Sequence, residues 1–139
     1  MEIIIYTDGA SRGNPGKSAS GFAVYEGEKL IKEDVLYNNI ATNNYAEYKA
    51  VIGALTWCKN NLKNIKEINC TVYSDSQLVV NQLNRAYKVK SERILELYRK
   101  VNEIAKDFKG IKFVNVRRSD PKIERVDKNI NLFLDDRIN

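Results

Sequence analysis

The sequence predicts an α/β fold built on a five-stranded mixed sheet, three antiparallel strands plus two parallel, flanked by helices in the order βββαβααβα. Two observations carry this. The first 37 residues alternate short β-branched and aromatic runs with turn residues, and from Asn44 onward segments of helical period alternate with short apolar strands. At 139 residues and 43% hydrophobic content the chain suits a single domain, 1–139, around one buried core.

Met1 to Asp8 reads as an isoleucine-rich strand. Gly21 to Tyr25 and Leu30 to Tyr37 read as two more, joined at Glu26-Gly27-Glu28 by a hairpin-length turn. From Asn44 to Leu62 the period becomes helical: Val51, Leu55, Cys58 and Leu62 form one stripe, with Ala46, Ala50, Ala54 and Trp57 beside it. A strand follows at Ile68 to Ser74, then a short helix from Gln77 to Leu83. Ser91 is a suitable N-cap for a longer helix whose face carries Ile94, Leu97, Tyr98, Val101, Ala105 and Phe108. Ile111 to Val116 is the fifth strand, and a last helix carries Val126, Ile130, Phe133 and Leu134. A right-handed crossover through the first helix lays strand four parallel to strand one. Their carboxyl ends, closed by Asp8 and Asp75, are then neighbours at the crevice where open α/β sheets place their sites.

Composition excludes several chemistries. The chain has no histidine, so imidazole metal ligands, Ser-His-Asp triads and a histidine proton shuttle are ruled out, and carboxylates must carry any acid–base or metal work. Cys58 and Cys70 lack the clustered spacing of a zinc site and read as buried free thiols. The net charge of +5 and pI near 9.1 suit a polyanionic partner, though solvated lysines give the same numbers. No stretch approaches the roughly 20 apolar residues of a membrane span, and MEIIIYTDG has neither a basic start nor a cleavage site. A soluble, cytoplasmic chain with no membrane partner is the expectation. NPGKS resembles the end of a Walker A loop, but the first glycine would fall at Ser11 and the segment after Lys17 reads as a strand, so that reading fails on spacing.

Three motifs carry the chemistry. YTDGASRGNPG places Asp8 before a loop containing Gly9, Gly13 and Gly16; TNNYAEY carries Glu47; YSDSQ carries Asp75. In this order and spacing they resemble the type 1 ribonuclease H (ribonuclease HI) family over almost the whole chain, in its compact form without a hybrid-binding domain or long basic protrusion. The resemblance implies a ribonuclease H-like fold. It also implies an endoribonuclease that hydrolyses the RNA strand of RNA–DNA hybrids by a two-metal-ion mechanism, leaving 5′-phosphate and 3′-hydroxyl ends. A fourth acid is expected at the start of the final helix, where Asp127, followed by Asn131 and Asp135, resembles the family's Asp with an Asn four residues on. The segment from Arg118 to Asp127 is longer than usual, and Ile123 and Val126 stand where the family has Asn and Ala, so Asp120 and Glu124 compete for that role. Asp127 is preferred because Val126, Ile130 and Phe133 fix its helix.

Converging carboxylates repel one another unless cations lie between them. Oxygen donors without His or Cys point to Mg²⁺ or Mn²⁺. The resemblance implies two ions, with Asp8 on both, Glu47 and Asp75 on one, and Asp127 on the other. Taken alone, Glu47 fits a capping box with Asn44; beside TDG and SDSQ, metal binding is the preferred reading. By the same resemblance Gly9, Ala10, Ser11, Asn14, Asn43, Asn44 and Gln77 line the RNA strand, Thr42 holds a DNA phosphate, and Arg118 matches the family's arginine after strand five. Arg85, Lys88, Lys90 and Arg93 either bind backbone or are simply solvated. A monomer is expected. A catalytically silent nucleic-acid-binding domain on the same fold would require loss of acids, and all the expected carboxylates are found.

Overall fold

In the computed structural model, which describes residues 1–138, the chain opens with an antiparallel meander of β1 (Glu2–Arg12), β2 (Gly16–Glu26) and β3 (Lys29–Ala41). Helix α1 (Asn43–Asn61) crosses over to β4 (Asn69–Ser74), which pairs parallel with β1. Helices α2 (Gln77–Leu83) and α3 (Glu92–Ala105) lead to β5 (Gly110–Asn115), parallel to β4, and α4 (Pro121–Ile138) follows. The sheet order is β3-β2-β1-β4-β5, so β1 lies at the centre with an antiparallel neighbour on one side and a parallel one on the other.

Strand alternation sends β1 side chains to two separate cores. Ile3 and Ile5 join Val24, Val72, Val51, Leu55 and Val101 between the sheet and α1 and α3. Ile4 and Tyr6 face the other side, where Ala19, Ala23 and Tyr25 of β2 lie under Val126, Ile130 and Leu134 of α4. The alanines of α1 that sat beside its aliphatic stripe, Ala46, Ala50 and Ala54, are fully buried, which lets that helix sit close on the sheet. Cys58 and Cys70 are buried free thiols, and burial pushes Cys58 up to about 12. Among the described residues no helix is long and apolar enough to cross a membrane.

Element order and type follow the sequence, but several boundaries move. Strand β1 does not stop at Asp8: it pairs with β2 from Ile3↔Glu26 to Arg12↔Lys17, so Gly9 and Gly16 are in strands rather than in a loop. Apolar alternation ends at Asp8 while the backbone ladder continues, because backbone pairing needs no apolar side chain. Ser18 and Ser20 occupy buried positions there, and Asn38 donates to both hydroxyls at 3.2 and 2.8 Å. Strand β3 likewise runs on to Ala41.

Helix α1 is capped by Thr42, whose Oγ1 accepts from the Tyr45 N–H at 3.2 Å. Asn44 is therefore inside the helix, and the Asn44–Glu47 capping box does not form. The expected start of the final helix at Asp127 is also corrected: the helix begins six residues earlier, at Pro121. The Asp120 carboxylate accepts from the Lys122 and Ile123 N–H groups at 2.9 and 3.3 Å, and Pro121 takes the first helical position, where no donor is needed. Asp127 lies within α4 rather than at its start. A one-turn 3₁₀ segment at Ile65–Glu67, too short to show a period, was not foreseen.

Candidate metal centre

Two glycines allow helices to approach β1 and β2 beside Asp8. A Cβ on Gly9 would lie 2.5 Å from the Ala46 carbonyl carbon and the Glu47 nitrogen, so only glycine lets the start of α1 rest on β1. Gly21 pairs directly with Asp8 across the ladder, and a Cβ there would lie 2.9 Å from methylene or methyl carbons of Val126 and Ile130. These contacts bring Glu47, on α1, and Asp127, on α4, to the position of Asp8. The Ser20 hydroxyl donates to the Ala46 carbonyl at 2.5 Å and fixes the first turn of α1 from below.

The Gly9 N–H donates to Asp8 Oδ1 at 2.9 Å and to Glu47 Oε1 at 2.7 Å, so one backbone donor holds two carboxylates. Ser74 Oγ donates to Glu47 Oε2 at 3.3 Å and accepts from the Ser76 N–H at 3.1 Å. Asp75 follows the last residue of β4, directly beyond the Thr7↔Ser74 pair. One oxygen from each of Asp8, Glu47 and Asp75 lies within 4.8 Å of the others. Asp8 and Glu47 are only 5% and 6% exposed, which is unusual for charged carboxylates.

The cost of that burial is visible in their acidity. Burial first, then the charges of Asp75 and Asp127, push Asp8 up to about 7, against the hydrogen bonds from Glu47 and the Gly9 N–H. Burial, then the Asp8 charge, raises Glu47 well above the usual carboxylate range. Three acids packed this tightly hold fewer than three negative charges at neutral pH unless a cation compensates them. The donor set is all oxygen, which suits a hard divalent ion.

Above the cluster opens a cavity of about 330 Å³. Asp127 lines it together with Asp8, Glu47 and Asp75, whereas Asp120 caps α4 and Glu124 is exposed outside it. The described geometry thus places Asp127, and neither competitor, beside the three motif acids. Gly9, Ala10, Asn43, Asn44 and Arg118 also line the cavity. Arg118 reaches in with Nε 3.5 Å from Asp75 Oδ2, on a side chain that is 89% exposed.

Other expected contact residues lie on the rim. Asn43 Oδ1 accepts from the Ser11 N–H at 2.9 Å and Asn14 Oδ1 accepts from the Asn43 N–H at 3.1 Å, which laces the β1–β2 hairpin to α1. Thr42 is the exposed cap of α1. Gln77 is exposed in the first turn of α2 and does not line the cavity. The sequence reading missed Ser74 and Ser76, although the serines flanking Asp75 in YSDSQ were the available signal. It also missed the spacing role of Gly21, which no local pattern announces.

A family model described as RNase H matches residues 1–122. The chain is 34% identical over 132 residues to "Ribonuclease HI" of Halobacterium salinarum, covering 94% of this chain and 63% of that protein. It is 33% identical over 121 residues to "Bifunctional protein Rv2228c" of Mycobacterium tuberculosis, covering 86% of this chain and 32% of that protein. This chain spans between about a third and about two thirds of the length of these curated relatives. Among solved structures, LC11-RNase H1 in complex with RNA/DNA hybrid superposes with a TM-score of 0.91 at 32% identity, covering 99% of both chains. RNase H1 from Halobacterium salinarum superposes at 0.88 with 32% identity, covering 98% of this chain and 99% of that one. Matching motifs, matching sheet order and a family match over most of its length agree: the chain belongs to the RNase H family.

Proposed function

We propose that this chain is an endoribonuclease that hydrolyses the RNA strand of RNA–DNA hybrids, using Mg²⁺ or Mn²⁺ held by Asp8, Glu47, Asp75 and Asp127. The observation that carries the reading is the buried cluster of Asp8, Glu47 and Asp75, whose charge needs a cation and whose cavity Asp127 shares. When bound, two such ions supply water activation and stabilise the leaving 3′ oxygen, which gives 5′-phosphate and 3′-hydroxyl ends.

The chain's own groups have distinct tasks. Asp8, at the centre of the sheet and between α1 and α4, would contribute to both ions, Glu47 and Asp75 would help hold one, and Asp127 the other. The Gly9 N–H and Ser74 hydroxyl orient the acids so that their remaining lone pairs face the cavity. Arg118, whose exposed side chain pairs with Asp75, lies where it would meet a backbone phosphate. The backbone of Gly9, Ala10 and Ser11 with Asn14, Asn43, Asn44 and Gln77 forms a polar lip suited to 2′-hydroxyls and the RNA backbone, and Thr42 lies where a DNA phosphate would pass. Such contacts distinguish RNA from DNA without reading sequence.

The test is incubation of end-labelled hybrid, duplex DNA, duplex RNA and both single strands with Mg²⁺, Mn²⁺ or EDTA. Cleavage of the RNA strand of the hybrid alone, dependent on metal and absent in Asp8→Asn, is expected. Cleavage in EDTA, or equal attack on duplex DNA, would overturn the proposal.

A further inference from the structure

Helix α4 meets the sheet through an apolar contact. Val126, Ile130 and Leu134 rest on Ala19, Ala23 and the bare backbone of Gly21. Small residues set how close the helix comes, and Tyr25, Leu30, Val35 and Tyr37 pack alongside. The Glu33 carboxylate of β3 accepts from Arg125 at 2.9 Å and from Asn129 at 3.3 Å, restraints that lie on the side of β3 rather than of β1. Asp127 projects from this helix into the cavity, and its usefulness as a ligand depends on that roll and slide.

A second polar grip reaches α4 beyond Asp127, from the strand that carries Asp8. Arg12, at the end of β1, places Nη1 2.9 Å from Asp135 Oδ1 and Nη2 3.1 Å from Asn131 Oδ1, with the Asn131 carbonyl at 3.4 Å. The Asn131 side-chain amide then donates to the carbonyl of Asp127 at 3.1 Å. A continuous chain of hydrogen bonds therefore runs from Arg12 through Asn131 to Asp127. The guanidinium is planar and spans two successive turns of the helix, so it fixes orientation in a way that a single point charge does not. The Arg12 and Asp135 side chains are 35% and 56% exposed, and ion pairs this solvated add little to stability. The consequence of the grip is geometric.

We infer that Arg12 is a positioning residue for the reaction, acting through Asn131 to hold Asp127 at the metal centre. The inference rests on the reading of Asp127 as a ligand, and the two are separable. The alternative is that Arg12 contacts a substrate phosphate directly, which its commitment to Asp135 and Asn131 argues against.

The experiment measures Mn²⁺ binding to the substrate-free full chain by calorimetry, kcat and KM on hybrid, and Tm, for Arg12→Ala, Arg12→Lys, Asn131→Asp and Asp127→Asn. Arg12→Ala should lower kcat by about 10-fold, since misplacing a reacting group by an ångström costs up to about 100-fold, with KM within about two-fold. Mn²⁺ affinity should fall alongside, and Tm should change by no more than about 2 °C. Arg12→Lys keeps the charge but not the fork and should follow Arg12→Ala. Asn131→Asp keeps the partner of Arg12 but loses the donor to Asp127, and should also lower kcat. If Arg12→Ala instead raises KM, flattens the salt dependence and leaves Mn²⁺ binding intact, Arg12 is a phosphate contact and the inference fails. Wild-type kcat in Arg12→Lys overturns it as well. Should Asp127→Asn leave Mn²⁺ binding and cleavage unchanged, the reading of Asp127 as a ligand fails; a damaged Asp127→Asn beside an unaffected Arg12→Ala sinks only the role of Arg12.

Discussion

Replacing Asp8 by Asn should stabilise the metal-free protein while abolishing its cleavage activity. Asp8 is almost fully buried, and its acidity is displaced from the ordinary 3.8 to about 7, chiefly by burial and then by Asp75 and Asp127. Because the folded state holds the proton more tightly than the unfolded chain, wild-type stability falls as pH rises from about 4 through 7. That displacement corresponds to about 4 kcal/mol as an upper value, since Asp8 is hydrogen-bonded to Glu47 and the two carboxyls share the proton between them. The Asn side chain keeps an oxygen for the Gly9 N–H and offers its amide to Glu47, so no buried donor is orphaned. In EDTA at pH 8 the variant's Tm should exceed wild type by about 5–15 °C, and the difference should shrink toward pH 4. Added Mg²⁺ or Mn²⁺ should raise the wild-type Tm and leave the variant nearly unmoved. Thermal melts at pH 4 to 8, with and without EDTA, decide the matter. An Asp8→Asn protein less stable than wild type at pH 8 in EDTA would refute the argument that the cluster is destabilised by its own charge.

Further substitutions separate site from scaffold. Gly9→Ala should cost about 1–3 kcal/mol in a denaturant melt and most of the cleavage activity, since its methyl would lie 2.5 Å from the α1 backbone. Glu47→Gln keeps an acceptor for the Gly9 N–H but removes the buried charge, so stability in EDTA should hold or rise while hybrid cleavage collapses in a gel assay. Asp120→Ala should lower stability by about 1 kcal/mol through loss of the α4 cap and leave cleavage within a few-fold; Asp127→Asn should do the reverse, with turnover on hybrid reduced by about 100-fold or more.

Where a segment's period and its environment agreed, the sequence was sufficient. The aliphatic stripe of α1, the Ser91 cap of α3 and the limits of α2 at Gln77 and Leu83 are as expected, because each depends on residues near one another in the chain. Asp8, Glu47 and Asp75 were legible as a set through motif spacing, and they meet. What was hidden depends on contacts between distant segments. The continuation of β1 and β2 through SRGNPGKSAS carries no apolar alternation, and its buried serines are satisfied by Asn38 from another strand. The start of α4 was concealed because Asp120 was weighed as a competing acid rather than as a helix cap followed by Pro121. Arg12, Ser20 and Gly21 carry no local signal of their roles, which arise only once α4 and α1 are packed against them.

The placement of β1 between an antiparallel and a parallel neighbour has a kinetic consequence. Residues 8, 47 and 127 lie on β1, α1 and α4 and residue 75 directly follows β4, and the β1–β4 pairing that joins two of them closes a loop of nearly half the chain. Bringing them together costs loop-closure entropy and concentrates negative charge, so the complete cluster is expected to form late in folding. Divalent ions that bind only the finished cluster would then leave the refolding rate nearly unchanged and slow unfolding, a shift confined to one arm of the chevron.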